Sequence, residues 1–258
     1  MKKDASYSAW LPYYRPKTQA HVKLFCFPYA GGGASIYRSW SSFLPPEVEL
    51  CSVQLTGREN RLLDKPATNI YQLVEELAVV LNPLFMESRF AFFGHSMGAL
   101  ISFELARYLR RVYRREPVYL FVSARKAPQL PNEEPLRHLL PEAEFLEEVR
   151  RLNGTPEAVL QNPELLNLLL PLLRADFAVC DAYIYQDDEP LSCPITAFGG
   201  LQDHDISKED LSAWKRQTEG AFTQRFIPGN HFFLNDHPQL LMQAMMQDLF
   251  KHVIVKYP

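Results

Sequence analysis

Phe90-Ala91-Phe92-Phe93-Gly94-His95-Ser96-Met97-Gly98-Ala99-Leu100 is the stretch whose reading decides the fold. Its first four residues form an apolar run that reads as a buried strand, and the run stops at Gly94. From Met97 the spacing turns helical: Leu100, Ile101, Leu105, Tyr108, Leu109 and Val112 fall roughly on one side. Between the two lies Gly94-His95-Ser96-Met97-Gly98, the pattern G-x-S-x-G. A strand that turns at once into a helix forces its corner residue into a strained conformation. Glycines two positions to either side let the backbones pass closely. Ser96 is then expected to project its hydroxyl from the carboxyl end of the sheet. The amides beside it open a helix, where negative charge is favoured. That setting suits a nucleophile whose attack creates an oxyanion. A glycine-rich turn with a solvated serine is the plain alternative, and the five letters alone do not separate the two.

Upstream, Val22 to Phe27 reads as a strand stopped by Pro28, followed by Tyr29-Ala30-Gly31-Gly32-Gly33-Ala34-Ser35. Successive glycines allow close backbone approach to a ligand, but no G-K-[ST] follows, which argues against a nucleotide triphosphate. In hydrolases with a nucleophile turn, the loop after an early strand donates one amide to the oxyanion hole. The residue after the serine donates the other. These positions are Ala30 and Met97. Ile36 to Phe43 reads as a short helix and Val48 to Leu55 as a second strand. In the loop Thr56-Gly57-Arg58-Glu59-Asn60-Arg61, adjacent opposite charges are expected to form a structural ion pair. Ile70 to Phe85 is amphipathic, with Leu73, Val74, Leu77, Val80, Leu81 and Leu84 inward.

Downstream, Val118 to Ser123 is another strand, and the alternation of strand and helix predicts a mainly parallel sheet. The rhythm then breaks. From 127 to 188 the patterns are helical, with no convincing strand. Pro141 to Leu152 ends at Asn153-Gly154, a good stop, and Asn162-Pro163-Glu164 is a good start. The helix it opens carries leucines on nearly every side, which fits either a core helix or a mobile lid lining an apolar chamber over Ser96. Strands resume at Pro194–Phe198 and Phe222–Ile227, with a helix over Ser207–Gln217 between them and a closing helix from Pro238 to about Val253. The resulting division is a core of residues 1–126 and 189–258 with a helical insertion at 127–188.

A serine hydroxyl is a poor nucleophile at neutral pH. It needs a base, usually histidine, and the base needs an orienting carboxylate. In sheets of this kind all three sit at strand ends, in the chain order serine, acid, histidine. Asp203 lies just past one strand and His231 just past the next. Asp205 competes for the acid, with Asp203 preferred because it is nearer the strand end. His95 abuts the nucleophile but is expected to point elsewhere. Asp203, His204, Asp205 and His231 are also conceivable zinc ligands. No H-E-x-x-H helix or second tight ligand pair accompanies them, so no metal is expected.

Composition sets outer bounds. The 258 residues allow one large α/β domain with an insertion, and 47% apolar and 22% charged content is ordinary for a globular protein. A net charge of −3 argues for neither nucleic acid nor a membrane surface. No segment approaches the roughly 20 apolar residues of a membrane span, and the N-terminus has no signal-peptide core. Cys26, Cys51, Cys180 and Cys193 form no C-x-x-C pair, so reduced thiols and a cytoplasmic setting are expected. Trp10, Leu11, Tyr13 and Tyr14 are candidates to pack onto the body. Arg107, Arg110, Arg111, Arg114 and Arg115 fall mostly on one helix face, either solvated or a dock for an acidic partner.

Four segments together resemble the type II, stand-alone editing thioesterases of nonribosomal peptide and polyketide synthases. They are Phe25-Cys26-Phe27-Pro28-Tyr29-Ala30-Gly31-Gly32, Gln54-Leu55-Thr56-Gly57-Arg58-Glu59, Gly94-His95-Ser96-Met97-Gly98-Ala99 and Gly229-Asn230-His231-Phe232-Phe233. The likeness runs from about residue 22 to about 250, in order and in spacing. It implies an α/β-hydrolase fold with an inserted helical lid. It also implies hydrolysis of acyl groups from the phosphopantetheine thiol of carrier proteins, with no cofactor of the enzyme's own. By the same resemblance, Ser96 is the nucleophile, Asp203 the acid, His231 the base, and Ala30 and Met97 supply the oxyanion amides. A carrier protein is the implied partner, and a monomer is expected. Thr56 stands where the family often has proline and Asn230 where glycine usually precedes the histidine. Asparagine tolerates left-handed angles, so the base is expected to keep its place. A carboxylesterase or lipase, an acyltransferase using the same triad, and a carrier-binding module with a dead triad remain as alternatives.

Overall fold

The strand runs assemble into one sheet of six parallel strands in the order β2-β1-β3-β4-β5-β6. They are β1 (Val22–Phe27), β2 (Val48–Ser52), β3 (Arg89–His95), β4 (Tyr119–Ser123), β5 (Ile195–Gly200) and β6 (Phe222–Ile227). A computed structural model describes residues 7–132 and 135–254. Central parallel strands are covered on both faces, so β3 and β4 read as unbroken apolar runs. Alternate residues nevertheless serve different cores. Phe25, Phe27, Phe90, Phe92, Leu120 and Val122 pack under α1 (Ile70–Glu87) and α2 (Met97–Tyr113). Leu24, Cys26, Ala91, Phe93 and Phe121 pack on the other face, against the 3-10 segment Ala34–Ser42 and the C-terminal helices.

The expected helix at 36–43 is this 3-10 segment. Its serines explain the difference, because Ser41 and Ser42 hydroxyls donate to the carbonyls of Arg38 and Ser39 and compete with the backbone. Strand β2 stops at Ser52, short of the expected Leu55, and the Gln54 amide bonds to Trp10 O instead of a sheet neighbour. That bond belongs to a packed lead-in. Trp10, Leu11 and Tyr14 are buried, the Arg61 guanidinium lies 3.9 Å over the Trp10 ring, and Asn60 donates to Ala9 O.

Between β4 and β5 the described residues form helices and turns and no strand. These are α3 (Glu142–Leu152), α4 (Glu157–Leu160) and α5 (Pro163–Asp181). Asn162 caps α5 by accepting from the Glu164 and Leu165 amides, and Asn153 ends α3 in the left-handed region. The leucines of α5 are not equivalent. Leu173 and Phe177 pack with Phe145, Val149 and Leu160 in a separate small core, while Leu165 and Leu168 are exposed. After β5 come α6 (Lys208–Ser212), α7 (Phe233–Asp236) and α8 (Pro238–Leu249). The single helix expected over 207–217 breaks after Ser212, where Trp214 turns into the core and donates to Arg125 O.

All four cysteines are buried and unpaired. Among the described residues no helix is long and apolar enough to cross a membrane. The arginine series on α2 is not one solvated face. Arg107 is buried against Glu104, Arg110 pairs with Asp188, and Arg115 donates to Phe85 O, which leaves Arg111 and Arg114 exposed.

Candidate active site

Ser96 stands at the junction of β3 and α2 with φ 52° and ψ −111°, outside the regions a serine normally occupies. The surroundings enforce it. A Cβ on Gly94 would lie 2.0 Å from Gly98 O, and one on Gly98 would lie 2.0 Å from Phe27 O, so neither position admits even a methyl group. The Ser96 amide donates to Ser123 O at 2.8 Å, tying the corner to β4. His95 is buried, with Nδ1 2.9 Å from Ser123 Oγ and its ring 5.5 Å from that of His231. Burial first, then the neighbouring His231, hold its pKa well below the usual histidine value, so it is a neutral packing residue.

Asp203 follows β5 and His231 follows β6. The two loops are laced together: the Gln202 amide donates to Gly229 O at 2.9 Å, and the Gly229 amide donates to the Gln202 side chain at 2.5 Å. His231 Nδ1 lies 2.9 Å from Asp203 Oδ2. Burial alone would raise the Asp203 pKa. The hydrogen bond and charge of His231, with the amides of Asp205 and Ile206, outweigh it and hold the carboxyl below its ordinary value. Asp205 is engaged instead by Arg151 of α3. Of the two candidate acids, the one against His231 is therefore Asp203. The left-handed angle before the histidine falls on Gly229, with φ 113°, and not on Asn230, whose side chain accepts from the Phe232 amide.

Ser96 and His231 line one cavity of about 190 Å³. Tyr29 and Ala30 come to it from the loop after β1, and Val149, Leu173 and Phe177 from the helical segment. Met97 is the first residue of α2, so its N–H has no acceptor within the helix. In the other loop the Gly31 amide donates to Asp176 Oδ2 at 2.7 Å and the Gly32 amide to Tyr29 O. The Ala30 amide has no hydrogen-bond partner among the described residues. The site thus holds a hydroxyl, an imidazole backed by a carboxylate, and two available amides. That set is suited to acyl transfer through a tetrahedral oxyanion.

One ligand atom each from Asp203, Asp205 and His231 lies within 4.8 Å of the others, and His204 is not part of that group. The Asp203 and Asp205 carboxylates are already engaged by His231 and Arg151.

Two residues escape the sequence reading. Arg58 does not pair with Glu59, which bonds Ser35 instead. It forms a two-pronged pair with Asp176 of α5, at 2.8 and 2.7 Å, with both side chains almost wholly buried. Its Nη1 also donates to Gly32 O. Asp176 therefore holds both the arginine and the Gly31 amide, joining α5 to the loop that carries Ala30. An aspartate between Ala175 and Phe177 in an apolar stretch does announce a buried partner. Nothing local says that the partner is 118 residues away.

Comparison with known proteins agrees with this picture. The thioesterase domain model matches residues 22–249. The chain is 50% identical to gramicidin S biosynthesis protein GrsT of Aneurinibacillus migulanus over 240 residues, 93% of each chain. It is 45% identical to a Brevibacillus parabrevis protein named linear gramicidin dehydrogenase LgrE over 259 residues, covering 99% of this chain and 98% of that one. Among solved structures, the type II thioesterase BorB from the borrelidin biosynthetic cluster superposes with a TM-score of 0.84 at 35% identity, covering 93% of this chain and 98% of that one. A strained serine corner on a parallel sheet, an imidazole lining the same cavity and these relatives converge: the chain is a hydrolase of thioesters with the α/β-hydrolase fold and belongs to the thioesterase family, on the type II branch that accompanies nonribosomal peptide and polyketide synthases.

Proposed function

We propose that the enzyme hydrolyses acyl or aminoacyl thioesters from the phosphopantetheine arms of carrier proteins, clearing stalled or misprimed assembly lines, through Ser96, His231 and Asp203. His231 takes the Ser96 proton as the hydroxyl oxygen attacks the thioester carbonyl. Asp203 orients the imidazole and stabilises its charged form. The Ala30 and Met97 amides hold the oxyanion, an effect of about 3 kcal/mol per donor in comparable sites. The carbon–sulfur bond breaks and the thiol leaves with the proton from His231. A water then gives its proton to His231 and attacks the acyl-serine, releasing the acid and restoring the hydroxyl. The observation that carries this reading is that Ser96 and His231 share a cavity while His231 Nδ1 rests against a buried Asp203.

In the same reading the segment 127–188 is a lid whose Leu173 and Phe177 form the apolar side of the acyl chamber. The partner is a carrier protein, with Arg111 and Arg114 open to an acidic surface. The setting is the cytoplasm, which suits four buried reduced thiols. The dehydrogenase in LgrE's name is not carried over. A dinucleotide turn needs G-x-G-x-x-G leading into a helix. Here Gly31-Gly32-Gly33 leads into a 3-10 segment, and the Gly31 amide is committed to Asp176.

Ser96→Ala should abolish both hydrolysis of acyl-carrier protein and labelling by a fluorophosphonate. Near-normal turnover by that variant would overturn the assignment. Matched oxygen esters and thioesters, assayed with and without an amine acceptor, separate this activity from an esterase and from an acyltransferase.

A further inference from the structure

Four cationic side chains line the cavity that Ser96 and His231 share: Arg125, Lys126, Arg137 and Arg151. Three are occupied. Arg137 pairs with Asp181, Arg151 with Glu148 and Asp205, and Lys126 donates to Pro131 O and Asn132 Oδ1. Arg125 differs. It is half-buried, yet among the described residues its guanidinium meets no carboxylate and no hydrogen-bond acceptor; only its backbone carbonyl is used, by Trp214. A guanidinium has five donors, and here no group among the described residues takes any of them, so a ligand entering the cavity can supply the acceptors.

Its position is fixed by the chain. Arg125 lies two residues beyond Ser123, whose carbonyl holds the Ser96 amide. The intervening Ala124 is wholly buried, lines the same cavity and sits at φ 50°, a left-handed angle that alanine rarely adopts. Strain of this kind persists where the surroundings demand a particular exit direction for the chain. Arg125 also borders a second cavity, lined by Leu130, Leu136, Tyr183 and Tyr185 and sharing Lys126, Asn132 and Cys180 with the first. It stands where the two chambers meet. Burial pushes the Cys180 thiol up, and the Arg125 charge is close enough to oppose that rise.

We propose that Arg125 is the anchor for an anionic oxygen group of the substrate, held by a two-pronged charge-assisted hydrogen bond beside the nucleophile. Two parts of an acyl thioester carry that chemistry: a carboxylate at the far end of a half-acid acyl chain, and the phosphodiester of the pantetheine arm. The inference rests on the Proposed function for which molecule enters, but the anion site can be tested without turnover.

The test uses the full-length enzyme and its Arg125→Gln and Arg125→Lys variants, each checked for an unchanged melting curve. Two ratios of kcat/KM are measured. One compares butanoyl-phosphopantetheine with butanoyl-pantetheine, and the other compares glutaryl-pantetheine with pentanoyl-pantetheine. The wild type should favour the anionic member of one pair. Arg125→Gln should reduce that preference about tenfold or more, the usual scale for loss of a charge-assisted pair, with Arg125→Lys intermediate. Loss in the first pair assigns the phosphate; loss in the second assigns the acyl carboxylate. Ratios in both pairs that are the same for wild type and Arg125→Gln overturn the proposal. If no thioester is turned over, the hydrolytic reading fails separately, and calorimetry of phosphopantetheine and of glutarate against the wild type and Arg125→Gln decides the anion site: weaker binding of either by the variant supports it, and equal or no binding of both overturns it.

Discussion

The floor of the cavity is fixed by contact, whereas its roof depends on charge as well. Under Ser96 the β3–α2 corner is held by contact: Gly94 against Gly98, Gly98 against Phe27, and a buried neutral His95 packed on Tyr29 and Phe233. Over it, the helical segment adds ion pairs to its apolar packing. Arg58 and Asp176 tie α5 to the loop of Ala30 in a buried pair, while Arg151 ties α3 to Asp205 in a pair whose arginine is 46% exposed. Close packing fixes a geometry and admits no alternative. An ion pair fixes a geometry only while it stays dry and complete, so the two roof pairs should differ in strength even though their distances are alike.

The contrast can be broken at its strongest point first. Gly98→Val places a branched side chain where even a Cβ would meet Phe27 O at 2.0 Å, and it should cost more than about 4 kcal/mol or prevent folding, read by urea denaturation. Next, Asp176→Ala leaves a buried guanidinium without its countercharge and should cost about 3–5 kcal/mol. Arg58→Met combined with Asp176→Leu should recover most of that stability, because neither charge is stranded. The double variant should still show reduced kcat, since the Gly31 amide has lost its acceptor. A double variant with wild-type kcat would reduce the pair to a structural one.

A smaller effect comes from acid. His95 is neutral in the fold and titrates near 6.5 when unfolded, so below that pH the unfolded chain binds the extra proton. The floor's stability is thus complete above about pH 6.5 and declines as pH falls below it; His95→Gln should flatten that limb of the stability–pH curve. The smallest effect is expected from Arg151→Ala, below about 1 kcal/mol and shrinking further in salt. Equal losses for Arg151→Ala and Asp176→Ala would end the distinction between the two roof pairs.

The same contrast explains what was legible in the sequence. The floor is local. Its determinants lie within Phe90–Leu100, so pattern and spacing give the strand, the corner and the helix. Asp203 and His231 are also readable, because strand ends in a parallel sheet converge whatever the separation along the chain. Asp203 is preferred over Asp205 from its place nearer the strand end, and the coordinates put it against His231 while Arg151 takes Asp205. The roof is non-local. Arg58 beside Glu59 suggests a neighbourly pair, and the actual partner lies on α5. The α2 arginines read as one face because helical spacing says nothing about Asp188 or the carbonyls of Glu189 and Pro190 folding back over them. The 3-10 form of the segment at 34–42 is not legible in the sequence, because hydroxyl competition for the backbone leaves the apolar pattern unchanged.

Trp10 lies beneath Arg61, and its carbonyl receives the Gln54 amide, so the first packed residues brace the same stretch from which Arg58 reaches α5. Trimming or tagging the leading end is therefore not a neutral engineering choice. A chain shortened past Trp10 should keep its sheet yet lose grip on a loop that sits far along the sequence, and activity would fade before any change in circular dichroism reported damage.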